Sequence, residues 1–446
     1  MSRRHKVNIP RESEFANIDS LNHDGRGVAH VNGKTVFVEG ALPGEQVEFS
    51  YTSMRKSYAE GIANNILQVS PERVAPKCAH YGLCGGCNLQ HLASEEQIHA
   101  KQQILLDNLK HLGHVAPDQV LAPLRGPYWG YRRKARLGVK YVIKKGKVLV
   151  GFREKHSHFL AELTRCEILH PSVGTIIPEL SELIGNLQAY NQIPQIEIAV
   201  ADSATAMVIR HLVELSASDL AKLREFAQCK NLLVYLQPKG PDSVTLFWPD
   251  KAELSYRLDE FDIEIFFHPT HFTQVNAEIN TQMVTQALGL LDPQANENIL
   301  DLFCGLGNFT LPMARHTASV IGVEGDSGLV AHAKENAQRN GISNTTYYVS
   351  DLAQGFIAEP WMKQKYDKIL LDPPRTGAFE IVKNIRQLGA RRIVYVSCNP
   401  STLARDADVL VNTHGYRLKS AGVMDMFPHT AHVESMALFE TKKAKG

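Results

Sequence analysis

The run Asn298-Ile-Leu-Asp-Leu-Phe-Cys-Gly-Leu-Gly-Asn-Phe-Thr310 predicts a buried strand that stops at a glycine turn and restarts as a helix. Glycines there let a ligand approach the backbone closely, and the helix beyond them opens on unpaired N–H groups. A G-x-G pattern is a weak signal by itself. This one lacks the third glycine of a dinucleotide fingerprint, and its DLFCGLGNFT context points to S-adenosylmethionine instead of NAD. From His271 onward, strand-length apolar runs alternate with helical stretches, the pattern of βαβ units and a parallel sheet. VIGVEGD ends a strand at Glu324, TTYYVSD ends one at Asp351, YDKILLDPPR at Asp372 and RRIVYVSC at Cys398. Four strand ends in a row therefore carry functional groups at one edge, where open α/β sheets bind ligands. Glu324 is placed to bind ribose hydroxyls. Cys304, inside the glycine turn, reads as small filler.

The last of those ends lies in VYVSCNPSTLARD, Val394 to Asp406. Apolar alternation up to Val396 predicts a buried strand, and Asn399-Pro400 breaks it before a helical pattern begins at Ser401. Cys398 thus sits just ahead of a helix N-terminus, whose partial positive charge is expected to lower the thiol pKa and favour the nucleophilic thiolate. By position alone, an isolated cysteine is equally well read as inert filler.

A chain of 446 residues has length for about three domains. Its 44% hydrophobic and 21% charged residues are ordinary for a soluble globular protein and name no function. Net charge is +1, so a nucleic-acid partner would have to be met by local basic patches. The start, MSRRHKVNIP, is basic without an apolar stretch behind it, and no run approaches a membrane span. A cytoplasmic protein with no membrane association is expected. Seven cysteines, at 78, 84, 87, 166, 229, 304 and 398, are odd in number and unevenly spaced. That argues against a disulfide framework and for metal or catalytic use.

Phe15 to Val69 reads as short alternating strands, with Asn32-Gly33 suited to a type I′ hairpin. Cys78-x5-Cys84-Gly-Gly-Cys87 then places three soft ligands within ten residues on a glycine-rich loop, with Cys166 far downstream. Metal binding is the preferred reading. Iron–sulfur and zinc both stay open, because His80 and His91 lie near enough in sequence to complete a zinc site. The spacing departs from the C-x3-C-x2-C of radical enzymes, which argues against radical chemistry. Apolar Ile98, Leu105, Leu106, Leu109 and Leu112 mark an amphipathic helix over 95–113, able to pack on the C-terminal unit. Tyr128 to Arg136, YWGYRRKAR, interleaves three aromatics with four cations, a composition that suits RNA phosphates and bases and equally a solvated face. From there to His268 the chain is strand-rich, interrupted by helical stretches near Ile176–Leu187 and Ser218–Phe226, and predicts an α+β domain.

DLFCGLGNFT, LLDPPRTG, VSCNPSTLARD and HTAHVESM, in this order, make the C-terminal half resemble the RNA (uracil-C5)-methyltransferases. DGRGVAH and ALPGEQVE make the start resemble the TRAM domain, an OB-like RNA-binding module. Having both the cysteine set and a TRAM-like start is most similar to the family's 23S ribosomal RNA branch. The resemblance implies a Rossmann-like S-adenosylmethionine-dependent domain over 271–446, a TRAM-like barrel over 1–70, and a central α+β domain over 71–270 carrying an iron–sulfur cluster. It implies that Gln274, Phe303, Asn308, Glu324, Asp351 and Asp372 contact S-adenosylmethionine. Cys398 would be the nucleophile and Glu434 the general base, while Cys78, Cys84, Cys87 and Cys166 would hold a [4Fe–4S] cluster. The expected partner is 23S ribosomal RNA and the expected state a monomer.

The chemistry fits these residue types. Uracil C5 is a poor nucleophile until a thiolate adds at C6, and after methylation a carboxylate must remove the C5 proton before the thiolate can leave. Phe272 and the YWGYRRKAR patch are candidate stacking partners for an unstacked base. The rival readings are an RNA-binding or redox-sensing protein with a vestigial cofactor fold, and, among enzymes, a dual-site ribosomal or a tRNA-directed methyltransferase.

Overall fold

The structure is a computed structural model that describes residues 9–354 and 359–441; the basic positions 1–8 lie outside the described residues. Strands β1 (Glu14–Asn17), β2 (Ser20–Leu21), β3 (Gly27–Val31), β4 (Lys34–Glu39), β5 (Gln46–Met54) and β6 (Tyr58–Gln68) form a sheet in the order β1-β5-β6-β4-β3-β2. Alternate residues point inward, so Val36, Val38, Val47 and Phe49 are fully buried in a small separate core. Asn32 and Gly33 both take positive φ, 51° and 76°, the geometry of a type I′ turn.

Helix α1 (Ser94–His111) and strand β7 (Gln119–Val120) follow the cysteine-rich loop. Next come β8 (Lys134–Val142), β9 (Lys147–Gly151), α2 (Pro171–Gly174), α3 (Ile177–Gly185), β10 (Gln195–Val200) and β11 (Thr205–Arg210). They continue into α4 (Ala217–Lys230), β12 (Leu232–Gln237) and β13 (Thr245–Trp248). This central sheet runs β13-β12-β11-β10-β8-β9, with α3 and α4 contributing Leu180, Ile184 and Leu223 to its core. A hairpin of β14 (Leu254–Leu258) and β15 (Ile263–Phe267) packs into the core of the C-terminal unit instead.

The C-terminal unit comprises α5 (Ala277–Leu291), β16 (Asn298–Leu302), α6 (Thr310–Ala314), β17 (Ser319–Glu324), α7 (Ser327–Arg339) and β18 (Thr345–Val349). It ends with β19 (Lys368–Leu371), α8 (Phe379–Val382), β20 (Arg392–Ser397), α9 (Pro400–Asp408), β21 (Tyr416–Met424) and β22 (Glu434–Thr441). The sheet order is β18-β17-β16-β19-β20-β22-β21-β7. Strands β16 to β20 pair in parallel, and β22 is antiparallel to both its neighbours β20 and β21. Leu300, Leu371, Val394 and Tyr395 are covered on both faces and fully buried, each worth about 1.5–3 kcal/mol relative to exposure. Among the described residues no helix is long and apolar enough to cross a membrane.

Helix α1 lies against α9 and β21, and β7 adds the outermost strand beside β21. A Cβ on Gly113 would stand 2.7 Å from the Ala404 carbonyl oxygen, so glycine permits the close approach of α1's end to α9. Residues 94–124 are thus built into the C-terminal sheet although the central sheet follows them in the chain.

Candidate active site and cysteine pocket

Parallel register brings the strand ends level. Leu302 pairs with Val323 and Leu371, Leu371 with Tyr395, and Ser397 with Ser435. The residues just past the last pair are Cys398 and Glu434, on neighbouring antiparallel strands. Asp372 occupies the equivalent place one strand further along. Asn399 caps α9 by accepting the Ser401 N–H on its side chain, which fixes where Cys398 leaves β20. Opposite it, the loop after Asp372 is clamped from below. Asp406 accepts the Ala378 N–H at 2.8 Å and the Tyr395 hydroxyl at 2.7 Å. Gly377, at φ 76°, leaves no room for a Cβ beside Asp406 and Arg405.

Cys398 opens on a cleft of about 270 Å³. Its walls come from three separated parts of the chain: Arg375, Asn399 and His432 of the C-terminal unit, Gly86 and Asn88 of the cysteine loop, and Asp24 of the barrel. Asn88 ties them together. Its side chain donates to the Asp24 carbonyl at 2.7 Å and accepts the Ala431 N–H at 2.9 Å.

Electrostatics at this edge run against the local expectation for Cys398. Burial, then the charges of Glu434 and Asp372, push its thiol up to about 11, and Arg375 opposes them only in part. The helix-terminus argument therefore gives the wrong direction for the resting protein, because a buried thiolate beside two carboxylates costs more than one helix end returns. Glu434 is pushed up to about 8 by burial and by Asp372, against the pull of Lys101 and Arg375. Asp372 rises to about 7 through burial. Three groups that repel as anions thus stand at neighbouring strand ends, with Cys398 alone lining the cleft itself, an arrangement that keeps protons available for exchange near neutral pH.

The other strand ends form a second region. Glu324 ends β17; one oxygen accepts the Gly305 N–H at 3.1 Å and the other the Gly325 N–H at 2.7 Å, so its carboxylate is oriented while free lone pairs face outward. Phe303 sits at φ 67°, a conformation costly for a bulky residue and typical of a functional turn. Asn308 exchanges hydrogen bonds with Asn280 and accepts the Tyr256 hydroxyl. Gln274 lines a small pocket with Tyr256 and Asn280. Asp351 caps the turn after β18 through the Ala353 N–H. Glu324 and Cys398 lie three strand spacings apart, roughly 14 Å, a span that fits an extended nucleoside-linked amino acid.

Cys78, Cys84, Cys87 and Cys166 line one pocket together with His80. Burial raises the Cys84 thiol, pushes Cys87 up to about 12 and Cys166 up to about 11, and the other cysteines add to each shift. Cys84, Cys87 and Cys166 so placed resist ionisation unless a cation stands among them. His80 is engaged with the Thr164 hydroxyl and N–H, and His91 bonds the Tyr81 hydroxyl outside this pocket. The pocket therefore gathers four thiols with the His80 ring at its wall, and His91 is not part of its lining. Among the described residues no three His, Cys, Asp or Glu side chains are gathered in the geometry of a metal-ion site.

The basic patch differs from the sequence-based expectation. Lys134 is nearly buried, pairs with Glu197 and donates to the Pro269 and His271 carbonyls. Arg133 pairs with Asp202, and Arg136 with Glu197. Tyr128 donates to Glu95, Trp129 stacks on His429 at 3.9 Å, and buried Tyr131 donates to the Pro428 carbonyl. YWGYRRKAR is thus a seam between the central and C-terminal units; three of its cations are matched by carboxylates, while Arg132 donates to the Lys134 carbonyl and lies over the Phe427 ring. Phe272, by contrast, is 71% exposed.

Three features of the site have no role that local sequence assigns: buried Lys101, the start of the 425–433 turn that it bonds, and the Asp301 carboxyl inside DLFCGLGNFT. The Asp301 carboxyl is fully buried beneath the glycine turn, accepts the Thr310 hydroxyl at 2.5 Å and rises to about 8.

A family model described as tRNA (Uracil-5-)-methyltransferase matches residues 168–354 and 360–442, and a TRAM domain model matches residues 16–63. The chain is 54% identical over 446 residues, 99% of this chain and all of the other, to the 23S rRNA (uracil(1939)-C(5))-methyltransferase RlmD of Hahella chejuensis. It is 52% identical over 447 residues to the Alcanivorax borkumensis protein of the same name, covering both chains fully. The crystal structure of Pyrococcus abyssi tRNA (uracil-54, C5)-methyltransferase in complex with S-adenosyl-L-homocysteine shares the fold, with a TM-score of 0.73 and 23% identity over 95% of this chain and 99% of that one.

Proposed function

The chain belongs to the tRNA (uracil-5-)-methyltransferase family, and from that membership we propose that it methylates C5 of a uridine in 23S ribosomal RNA, the one its relatives' names number 1939. The observation that carries this reading is the placement of Cys398, which opens on the cleft, with Glu434 and Asp372 at the ends of the two strands beside its own. S-adenosylmethionine supplies the methyl group, held along the sheet edge by Gln274, Phe303, Asn308, Glu324, Asp351 and Asp372. Cys398 loses its proton to solvent in the cleft and adds as thiolate to C6 of the uracil, which makes C5 a nucleophile; C5 takes the methyl as the methyl–sulfur bond breaks and S-adenosylhomocysteine leaves. Glu434 then removes the C5 proton, and Cys398 leaves as the C5–C6 double bond re-forms. The TRAM barrel and exposed Phe272 grip the RNA, with Phe272 a stacking surface for an unstacked base. Labelled methyl transfer to unmodified 23S RNA and to tRNA, followed by mapping, tests this. Label in tRNA alone would overturn the ribosomal assignment.

The four cysteines are read as ligands of a [4Fe–4S] cluster. Protein purified without air should be brown with about four irons, and Cys84→Ser should bleach it. A colourless anaerobic preparation with stoichiometric zinc would replace this reading.

Activity and stability should run in opposite directions with pH. Glu434 must be ionised to act, so the rate of product release should climb from about pH 6, reach half its maximum near the folded value of about 8, and level off only above it. Asp301, Asp372 and Glu434 are all held above their unfolded values. Below about pH 6.5 the buried histidines, His91, His271 and His429, held down to about 4, oppose these carboxyls; between roughly pH 6.5 and 8 the carboxyls act alone, the folded state binds more protons than the unfolded one, and stability falls as pH rises through that window. Parallel rate and melting profiles would show this; a melting temperature that rises from pH 7 to 8 would contradict it.

A further inference from the structure

Lys101 is 1% exposed on the inner face of α1. Its ammonium donates to Asp425 Oδ1 at 2.7 Å and to the Phe427 carbonyl at 2.9 Å. Its third N–H has no hydrogen-bond partner among the described residues. Asp425, also 1% exposed, directly follows Met424, the ladder partner of Glu434 on the adjacent strand. A buried lysine is therefore bonded to the residue next to the ladder partner of the carboxylate that must take the C5 proton. It lies on a helix outside the segment that the methyltransferase family model matches. Taking a lone ammonium out of water costs several kcal/mol, and a simple fastening of α1 to the sheet could use apolar contacts alone.

We infer that Lys101 is a positioning residue for the proton-abstraction step: its ammonium supplies the positive charge against which Glu434 ionises, and its two hydrogen bonds fix the turn that leads into Glu434. This rests on Glu434 being the base. The groups facing Glu434 are Asp372 after β19, Cys398 after β20, Arg375 in the loop beyond Asp372, Asp425 after β21, Lys101 on α1, and His432 on its own segment. With Glu434 ionised, three carboxylates face two fixed cations, and Arg375 is solvent-exposed. Lys101 is the cation that water does not screen. The pull of Lys101 on Glu434 is stronger than that of Arg375, in line with this geometry.

The test uses full-length protein and RNA, following breakdown of the covalent RNA–protein adduct against pH in single turnovers. Lys101→Gln with Asp425→Asn keeps a hydrogen-bonded pair of similar size without charge. Its midpoint for adduct breakdown should move up by about one pH unit, with adduct accumulating at pH 7 and clearing at pH 9. A lower melting temperature with an unmoved midpoint would make the pair purely structural and overturn the inference. If the double variant does not fold, Asp425→Asn alone decides, because it leaves Lys101 facing Glu434 without a competitor. Its midpoint should move down, and an unmoved midpoint overturns the inference. Wild-type protein that forms adduct and product separates these outcomes from failure of the functional reading, which would show as no adduct at all.

Discussion

Cys398→Ala should lose methyl transfer by on the order of 10⁴-fold or more and give no covalent RNA–protein species, whereas Glu434→Gln should accumulate one. The two residues stand at opposite ends of the reaction although they are neighbours on the sheet. Without the thiol, C6 receives no nucleophile and C5 never becomes reactive. With an amide in place of the Glu434 carboxylate the thiol still adds and C5 still takes the methyl, but the C5 proton remains and the carbon–sulfur bond cannot break. The electrostatics sharpen this expectation. Among the neighbouring charges Glu434 does most to raise the Cys398 thiol, so its neutralisation should ease thiolate formation and shift the pH at which iodoacetamide alkylates Cys398 downward. The adduct should survive denaturation, run as a retarded band and carry the labelled methyl. Normal turnover by Glu434→Gln, or an inactive variant that binds RNA and cofactor yet traps nothing, would remove Glu434 as the base. Asp372, raised and at the neighbouring strand end, would be the next to test.

Asp406→Ala should be the most destabilising single change near the site, at about 3–5 kcal/mol. Asp406 is fully buried and gathers three donors: the Ala378 N–H, the Tyr395 hydroxyl and the Arg405 guanidinium. Truncation would leave the tyrosine hydroxyl and a backbone N–H buried without partners, beside a guanidinium that has lost its counter-charge. The consequence reaches function because the same carboxylate clamps the loop carrying Asp372 and Arg375 over Cys398. Chemical denaturation should show the loss, and Asp406→Asn, which keeps an acceptor, should recover part of it. An alanine variant within about 1 kcal/mol of wild type would mean that the loop is held by something other than this carboxylate.

Much of the C-terminal unit is legible in the sequence because its information is local. Apolar runs of strand length mark β16 to β20, turn residues mark where they stop, and the residue after each stop must lie on the sheet's binding edge. Asn32-Gly33 likewise specifies a hairpin through the positive φ of two adjacent residues. Local reading fails where a residue's partner is distant. YWGYRRKAR has the composition of an RNA patch, yet Glu197, Asp202 and the 425–433 turn take up most of its cations and aromatics. The thiol of Cys398 illustrates the same limit in sign: the helix N-terminus is visible in sequence, whereas burial and the facing carboxylates are not, and they outweigh it. Lys101 and Asp425 are 324 residues apart, and neither neighbourhood names the other. Periodicity determines which face of an element is buried; which charges meet across that face is decided only when the elements pack, because burial removes the solvent that would otherwise make the choice of partner nearly indifferent.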